Sequence, residues 1–248
     1  MSRDAFVANL IRAREFASAR NIRKIGKPVD RSEWGAYPQL VDAFYNASMN
    51  EITFPAGILQ PPWFDPNADD AVNYGAMGTV IGHEMTHGFD DEGRQFDAAG
   101  DLRDWWTPAD AAKYDARAQR VAGQFNGYTV VDGATHVNGK LTLGEDIADL
   151  GGLKVAYEAL ESDLTAAGRP GLIDGFTPEQ RFFLSYAQVW RMVARPEYLR
   201  LQVNTDPHAP WMWRVNGPLS NMPEFAKAFG CSTGTPMVRP DTLRAEIW

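Results

Sequence analysis

The chain has 248 residues, long enough to bury about three quarters of the surface its unfolded form would expose, so it needs no disulfide or metal staple to fold. Its net charge of −8 repels nucleic acid and anionic membrane alike, and no apolar run is long enough to span a bilayer. Cys231 is the only cysteine, which excludes an intrachain disulfide.

In chain order, Phe6, Val7, Leu10, Ile11 and Phe16 are interrupted by Arg12, Arg14 and Glu15, a spacing that predicts an amphipathic helix over residues 4–22 rather than a signal peptide. Residues 38–45 are expected to open a second helix. Residues 51–59 alternate Ile52, Phe54 and Ile58 with Thr53 and Pro55, which predicts an edge strand ending in a turn, since proline is tolerated only at an edge. Residues 67–87 read as helical, with Asp69 and Asp70 where a helix start favours negative charge. A loop or small hairpin is expected over 97–104, then a helix over 108–125 with Pro108 in its first turn. A turn-rich stretch over 127–139 precedes helices over 143–164 and 178–193. From Asn204 onward Pro, Gly and Asn are frequent, and an irregular segment wrapped on the core is expected. The fold class is therefore α+β, predominantly helical, with a small sheet.

His83-Glu84-Met85-Thr86-His87 is the sharpest chemical signal. Positions i and i+4 of a helix stand on one face, so both imidazoles can reach one metal ion. Glu84, one residue along, is close enough to take a proton from a water held there. Two histidines can fall four apart on any surface helix, but with only four in the chain chance is a poor account of them. A catalytic zinc site keeps three protein ligands and one open position. Glu145 and Asp149, again four apart, supply a candidate third ligand and a carboxylate a turn away to orient an imidazole. Alone, such a pair reads as a solvated helix face. Three residues past His87, Asp90 is placed for the same orienting part, and Asp91 is an equal alternative.

Residues 54–62 (FPAGILQPP), Asn73-Tyr74-Gly75, 80–91 (VIGHEMTHGFDD) and 144–152 (GEDIADLGG) closely resemble the neprilysin and endothelin-converting-enzyme family of zinc peptidases. Phe182-Phe183-Leu184, Ala187-Gln188-Val189-Trp190 and Arg195-Pro196-Glu197-Tyr198 continue the resemblance in the same order. It implies a thermolysin-like (zincin) catalytic core, with residues 1–248 as the C-terminal catalytic portion of a longer enzyme whose helical N-terminal lobe is largely absent. It implies one zinc ion on His83, His87 and Glu145, Glu84 as general base and Asp149 as the acid behind a ligand. In Asp206-Pro207-His208-Ala209-Pro210, His208 matches the residue that stabilises the oxyanion, and Arg214 the one that grips a substrate carbonyl. Without the resemblance His208 reads as a loop histidine. Ile58, Trp63, Val80, Val189 and Trp190 match the pocket for the residue after the scissile bond, although each is equally well explained as core.

The implied activity is hydrolysis of short peptides on the amino side of large hydrophobic residues. Two departures qualify the match. Asp42-Ala43-Phe44-Tyr45 stands where the family has an Asn-Ala motif that anchors substrate, so Asp42 loses both amide donors and adds a charge. Ala245 stands where many relatives carry a disulfide-forming cysteine. The expected partners are short peptides, with the absent lobe or a second copy covering exposed helix faces, and neither nucleic acid nor membrane. The expectation leans toward a soluble, cytoplasmic bacterial protein. The competing functional reading is a catalytically silent zinc-binding fragment, or an interaction module of a larger neprilysin-like protein.

Overall fold

A computed structural model of the protein describes residues 2–131 and 133–247; Asp132, inside the turn-rich stretch, lies outside them. The structure is predominantly helical and divides into two compact units, Met1–Gly35 and Ala36–Trp248.

The first unit holds the expected amphipathic helix, α1 (Phe6–Ile22), and the connection that follows. Arg20 and Lys24 both reach the Glu33 carboxylate, at 2.5 and 2.6 Å, and tie that connection back onto the helix. The apolar stripe of α1 is not buried: Phe6 is 79% exposed and Phe16 65%.

The second unit begins with a correction. Residues 38–45 form no helix; a turn at Pro38–Gln39 leads into β1 (Phe44–Asn46), which pairs antiparallel with β2 (Glu51–Thr53), Phe44 opposite Thr53. Aromatic and β-branched residues facing one another across the hairpin outweigh the short helical pattern. The strand expected over 51–59 stops at Thr53. Beyond it Pro55 can donate no ladder bond, and Ile58 and Leu59 donate back to the carbonyls of Pro55 and Ala56 in tight turns.

Residues 70–87 form one continuous rod, as expected, but not one regular helix. α2 (Asp70–Asn73) passes through a π-helical turn (Tyr74–Gly78) into α3 (Thr79–His87). Asp69 caps the start, its side chain accepting from the Ala71 amide, and Arg181 grips the same carboxylate at 3.0–3.1 Å. α4 (Pro108–Asn126) opens on a Thr107 cap with proline in its first turn. The turn-rich stretch then forms a second hairpin, β3 (Thr129–Val130) with β4 (Thr135–His136), so the expected small sheet is two separate two-stranded pieces.

α5 (Leu143–Ala167) is the spine of the unit. Ile147 and Leu150 pack with Val121, Phe125 and Val203 at one end, and Leu153, Leu160 and Leu164 with Phe182, Phe183 and Tyr186 at the other. Each such side chain contributes about 1.5–3 kcal/mol when fully buried. A helix that buries residues all round its circumference is held in place from every side. α6 (Pro178–Val189) starts with a Thr177–Gln180 capping box and ends earlier than expected.

The rest of the chain departs most from expectation. α7 (Pro196–Thr205), α8 (Trp211–Leu219) and α9 (Pro223–Phe229) occupy the stretch, and two of them fall after Asn204, where an irregular segment was expected. Pro196 and Pro223 occupy first-turn positions, where the missing N–H costs nothing, so here proline starts helices rather than breaking them.

Candidate active site

α3 and α5 pack on each other more extensively than any other two elements among the described residues. Their contact brings the two sequence motifs together. The Nε2 atoms of His83 and His87 face one another at 3.0 Å, and Glu145 presents its carboxylate to both, at 3.3 and 3.7 Å. One ligand atom from each of the three lies within 4.8 Å of the others.

The opposite side of each imidazole is held. His83 Nδ1 meets Asp149 Oδ1 at 2.9 Å, and His87 Nδ1 meets Asp90 Oδ2 at 2.6 Å. The choice between Asp90 and Asp91 is thus resolved: Asp90 turns inward because its other oxygen accepts from the amides of Glu92 and Gly93 in the turn after α3. A carboxylate at Nδ1 places the ring proton there, which leaves the two Nε2 lone pairs aimed at each other. Glu145 Oε2 is buried among them with no hydrogen-bond partner.

Such a cluster demands positive charge. Burial works to lower the His83 pKa, yet the carboxylates of Asp149 and Glu145 beside its two nitrogens raise it to about 9. Burial would raise that of Glu145, but the close approach of His83 and the charges of His83, Arg214 and His208 hold it down to about 2. Two imidazole nitrogens and a carboxylate oxygen around an unmet lone-pair surface fit a zinc ion, and the donor set is of the kind that keeps a coordination position open.

Of the remaining expected residues, Glu84, His208 and Arg214 adjoin this cluster. Glu84 is buried on α3 between the two histidines, and burial lifts its carboxyl above the usual range while the imidazole charges oppose. His208 comes from the loop after α7. Its Nε2 lies 3.2 Å from Glu145 Oε2, and its Nδ1 bonds Asp206 at 2.8 Å. Asp206 has no signal of its own in the sequence, because a spacing of two before a histidine means nothing without the loop geometry. Arg214, on α8, is buried, and its Nε and Nη2 fork the two oxygens of Asp149 at 2.7 Å each. Its guanidinium stacks 3.9 Å above the Trp190 ring, and Trp190 meets Trp63 edge-on at 5.4 Å.

Ala43, Ile58 and Val80 form one buried cluster with Met77, and Trp63 packs against it. Val189 ends α6 directly before Trp190. Asp42 is exposed; its side chain accepts from the Ala43 amide, and its charge is among those acting on Glu84. Ala245 is buried, its amide donating to Asn221.

The sequence model of peptidase family M13 matches residues 42–244, which include every one of these residues except Ala245. The chain belongs to that family. An endothelin-converting enzyme homolog of Locusta migratoria is 43% identical over 99% of this chain and 33% of its own length. Human neprilysin is 42% identical over the same shares. Among solved structures, the zinc metalloprotease Zmp1 of Mycobacterium tuberculosis, in complex with an inhibitor, superposes with a TM-score of 0.95 at 42% identity, covering 100% of this chain and 38% of that one. PepO from Lactobacillus rhamnosis gives 0.81 at 39% identity, over 90% and 34%. The chain thus spans about a third of the length of these M13 relatives. No helix among the described residues is long and apolar enough to cross a membrane.

Proposed function

We propose that this chain is a zinc-dependent endopeptidase with a thermolysin-like core, cleaving short peptides on the amino side of hydrophobic residues. The observation that carries the reading is the pair of Nε2 lone pairs and the unpartnered Glu145 oxygen converging on one point, with Glu84 buried beside them. Zinc held by His83, His87 and Glu145 would supply a Lewis acid that polarises the scissile carbonyl and brings a water's pKa toward neutrality.

The chain's own residues carry the other steps. Glu84, its basicity raised by burial, takes a proton from the attacking water and returns it to the departing amine. His208, its Nδ1–H held by Asp206, would donate Nε2–H to the oxyanion from the doubly protonated ring as charge develops there, a contribution of about 3–4 kcal/mol in comparable sites. Arg214 keeps Nη1 outside its fork with Asp149, and that nitrogen is the one suited to a substrate carbonyl. Asp149 and Asp90 keep both imidazoles in the tautomer that presents Nε2. Ile58, Val80, Trp63, Val189 and Trp190 supply an apolar wall for the side chain after the cleaved bond, and Asp42 with Ala43 the backbone anchor.

The test is cleavage of a short internally quenched peptide with a central Phe or Leu, with zinc content measured on the same sample. Chelator-sensitive cleavage is expected, falling by about 10²–10⁴-fold in Glu84→Gln while zinc stays bound. Near-native activity of Glu84→Gln would refute the mechanism. One zinc per chain without any cleavage would favour the silent zinc-binding fragment.

A further inference from the structure

The two helices that carry the metal-facing residues touch backbone to backbone. A Cβ placed on Gly82 would lie 2.7 Å from the carbonyl oxygen of Gly152 and 2.8 Å from its Cα. A Cβ on Gly152 would lie 2.4 Å from the His83 amide nitrogen and 2.7 Å from the Thr79 carbonyl oxygen. Non-bonded carbons normally rest about 3.5–4.0 Å apart, so one methyl at either position would push α3 and α5 apart by roughly 1 Å.

The placement of this contact matters more than its tightness. On α5, Glu145, Asp149 and Gly152 fall at i, i+4 and i+7, a single stripe facing α3. On α3, Gly82 immediately precedes His83. The gap that the glycines set is the gap that His83 must cross to reach Asp149 at 2.9 Å and Glu145 at 3.3 Å. Asp149 has no freedom to follow a displaced helix, because Arg214 fixes both its oxygens.

We infer that the Gly82–Gly152 contact is a spacer that sets the distance between the imidazole and carboxylate halves of the metal centre, making both glycines positioning residues for it. The inference rests on the zinc reading given above. A spacer at this point acts on donor geometry rather than on the core as a whole, and that separates it from ordinary packing.

The experiment compares the wild-type chain with Gly152→Ala, Gly82→Ala and Leu160→Ala. Leu160 is fully buried on the same helix, two turns beyond the contact and within the other core cluster. Zinc affinity is read by competition with a chromogenic chelator, donor geometry by the visible bands of the Co(II)-substituted protein, and stability by thermal unfolding. Both glycine variants should bind zinc about tenfold or more weakly, with altered Co(II) bands. Leu160→Ala should lower Tm yet keep the wild-type affinity and spectrum. Folded glycine variants with unchanged affinity and spectrum would overturn the spacer, as would a Leu160→Ala variant that moved them equally. If neither glycine variant folds, the contact is general packing and the inference falls. A wild-type chain that binds no zinc would instead remove the zinc reading beneath it.

Discussion

Asp149 serves two partners at once: Arg214 forks its carboxylate with two bonds of 2.7 Å, while the same Oδ1 accepts from His83 at 2.9 Å. Burial alone would raise this carboxyl, but the charge and hydrogen bonds of Arg214 hold it well below the usual range. Asp149→Asn is therefore expected to weaken zinc binding about 10- to 100-fold by releasing the His83 ring. It also takes from the buried guanidinium its nearest carboxylate and leaves Glu145 at 3.7 Å as the remaining one, and breaking one side of such a pair costs up to about 3–5 kcal/mol. Chelator competition and denaturant unfolding would measure the two effects, and an unchanged affinity would show that His83 is oriented without Asp149.

Asp42 places a negative charge where the family carries a neutral amide, at the edge of the proposed substrate cleft. Asp42→Asn restores two donors and removes the charge. A lower KM for a short peptide is expected, with a smaller change in kcat. An unchanged or higher KM would contradict the placement of Asp42 beside the substrate.

His208 owes its aim to Asp206, which accepts both from its ring and from its backbone amide at 2.8 and 2.9 Å. Replacing Asp206 with Ala leaves the ring free to turn. The expected result is a loss in kcat of about tenfold or more, with KM nearly preserved, because the interaction strengthens only as charge develops. A change confined to KM would argue that His208 binds substrate in its ground state instead.

Tyr114 and Tyr186 are buried, and burial raises both phenols well above their ordinary range. In the unfolded chain a tyrosine ionises near pH 10, so above that pH the unfolded state releases protons that the folded state keeps. Their stabilisation is complete below about pH 10 and is lost as pH rises past it, by about 1.4 kcal/mol for each tyrosine at one unit above. Guanidinium midpoints measured at pH 9, 10 and 11 should fall more steeply for the wild type than for Tyr186→Phe. Equal slopes would mean that Tyr186 ionises freely in the folded protein.

The candidate metal-binding cluster was legible because its spacing is local: two residues four apart on a helix share a face whatever surrounds them. His83 with His87 needed nothing more, whereas Glu145 with Asp149 reads as a solvated face until it is coupled to the histidine pair. Asp90 and Asp91 were indistinguishable, since the choice depends on a turn in which two backbone amides claim one oxygen. His208 and Arg214 reach the centre from distant loops and helices, and only the family resemblance pointed to them. Pro223 falls in the stretch expected to be irregular because a helix start and a helix stop look alike when no cap side chain marks the boundary. The hairpin at Phe44 was hidden because three-residue strands are too short to show a period.

The π-helical turn at Tyr74–Gly78 accommodates one residue more than a regular turn would, with Gly75 set against the Phe182 carbonyl where no side chain fits. It acts as a slack link in the rod. Removing one residue there, provided the glycine is kept, would relax the turn to a regular one and leave both flanks facing as before. The same deletion inside α3, between His83 and His87, would swing the second histidine about 100° around the axis and dismantle the centre. Along this rod, tolerance to a change in length should therefore switch abruptly at Thr79.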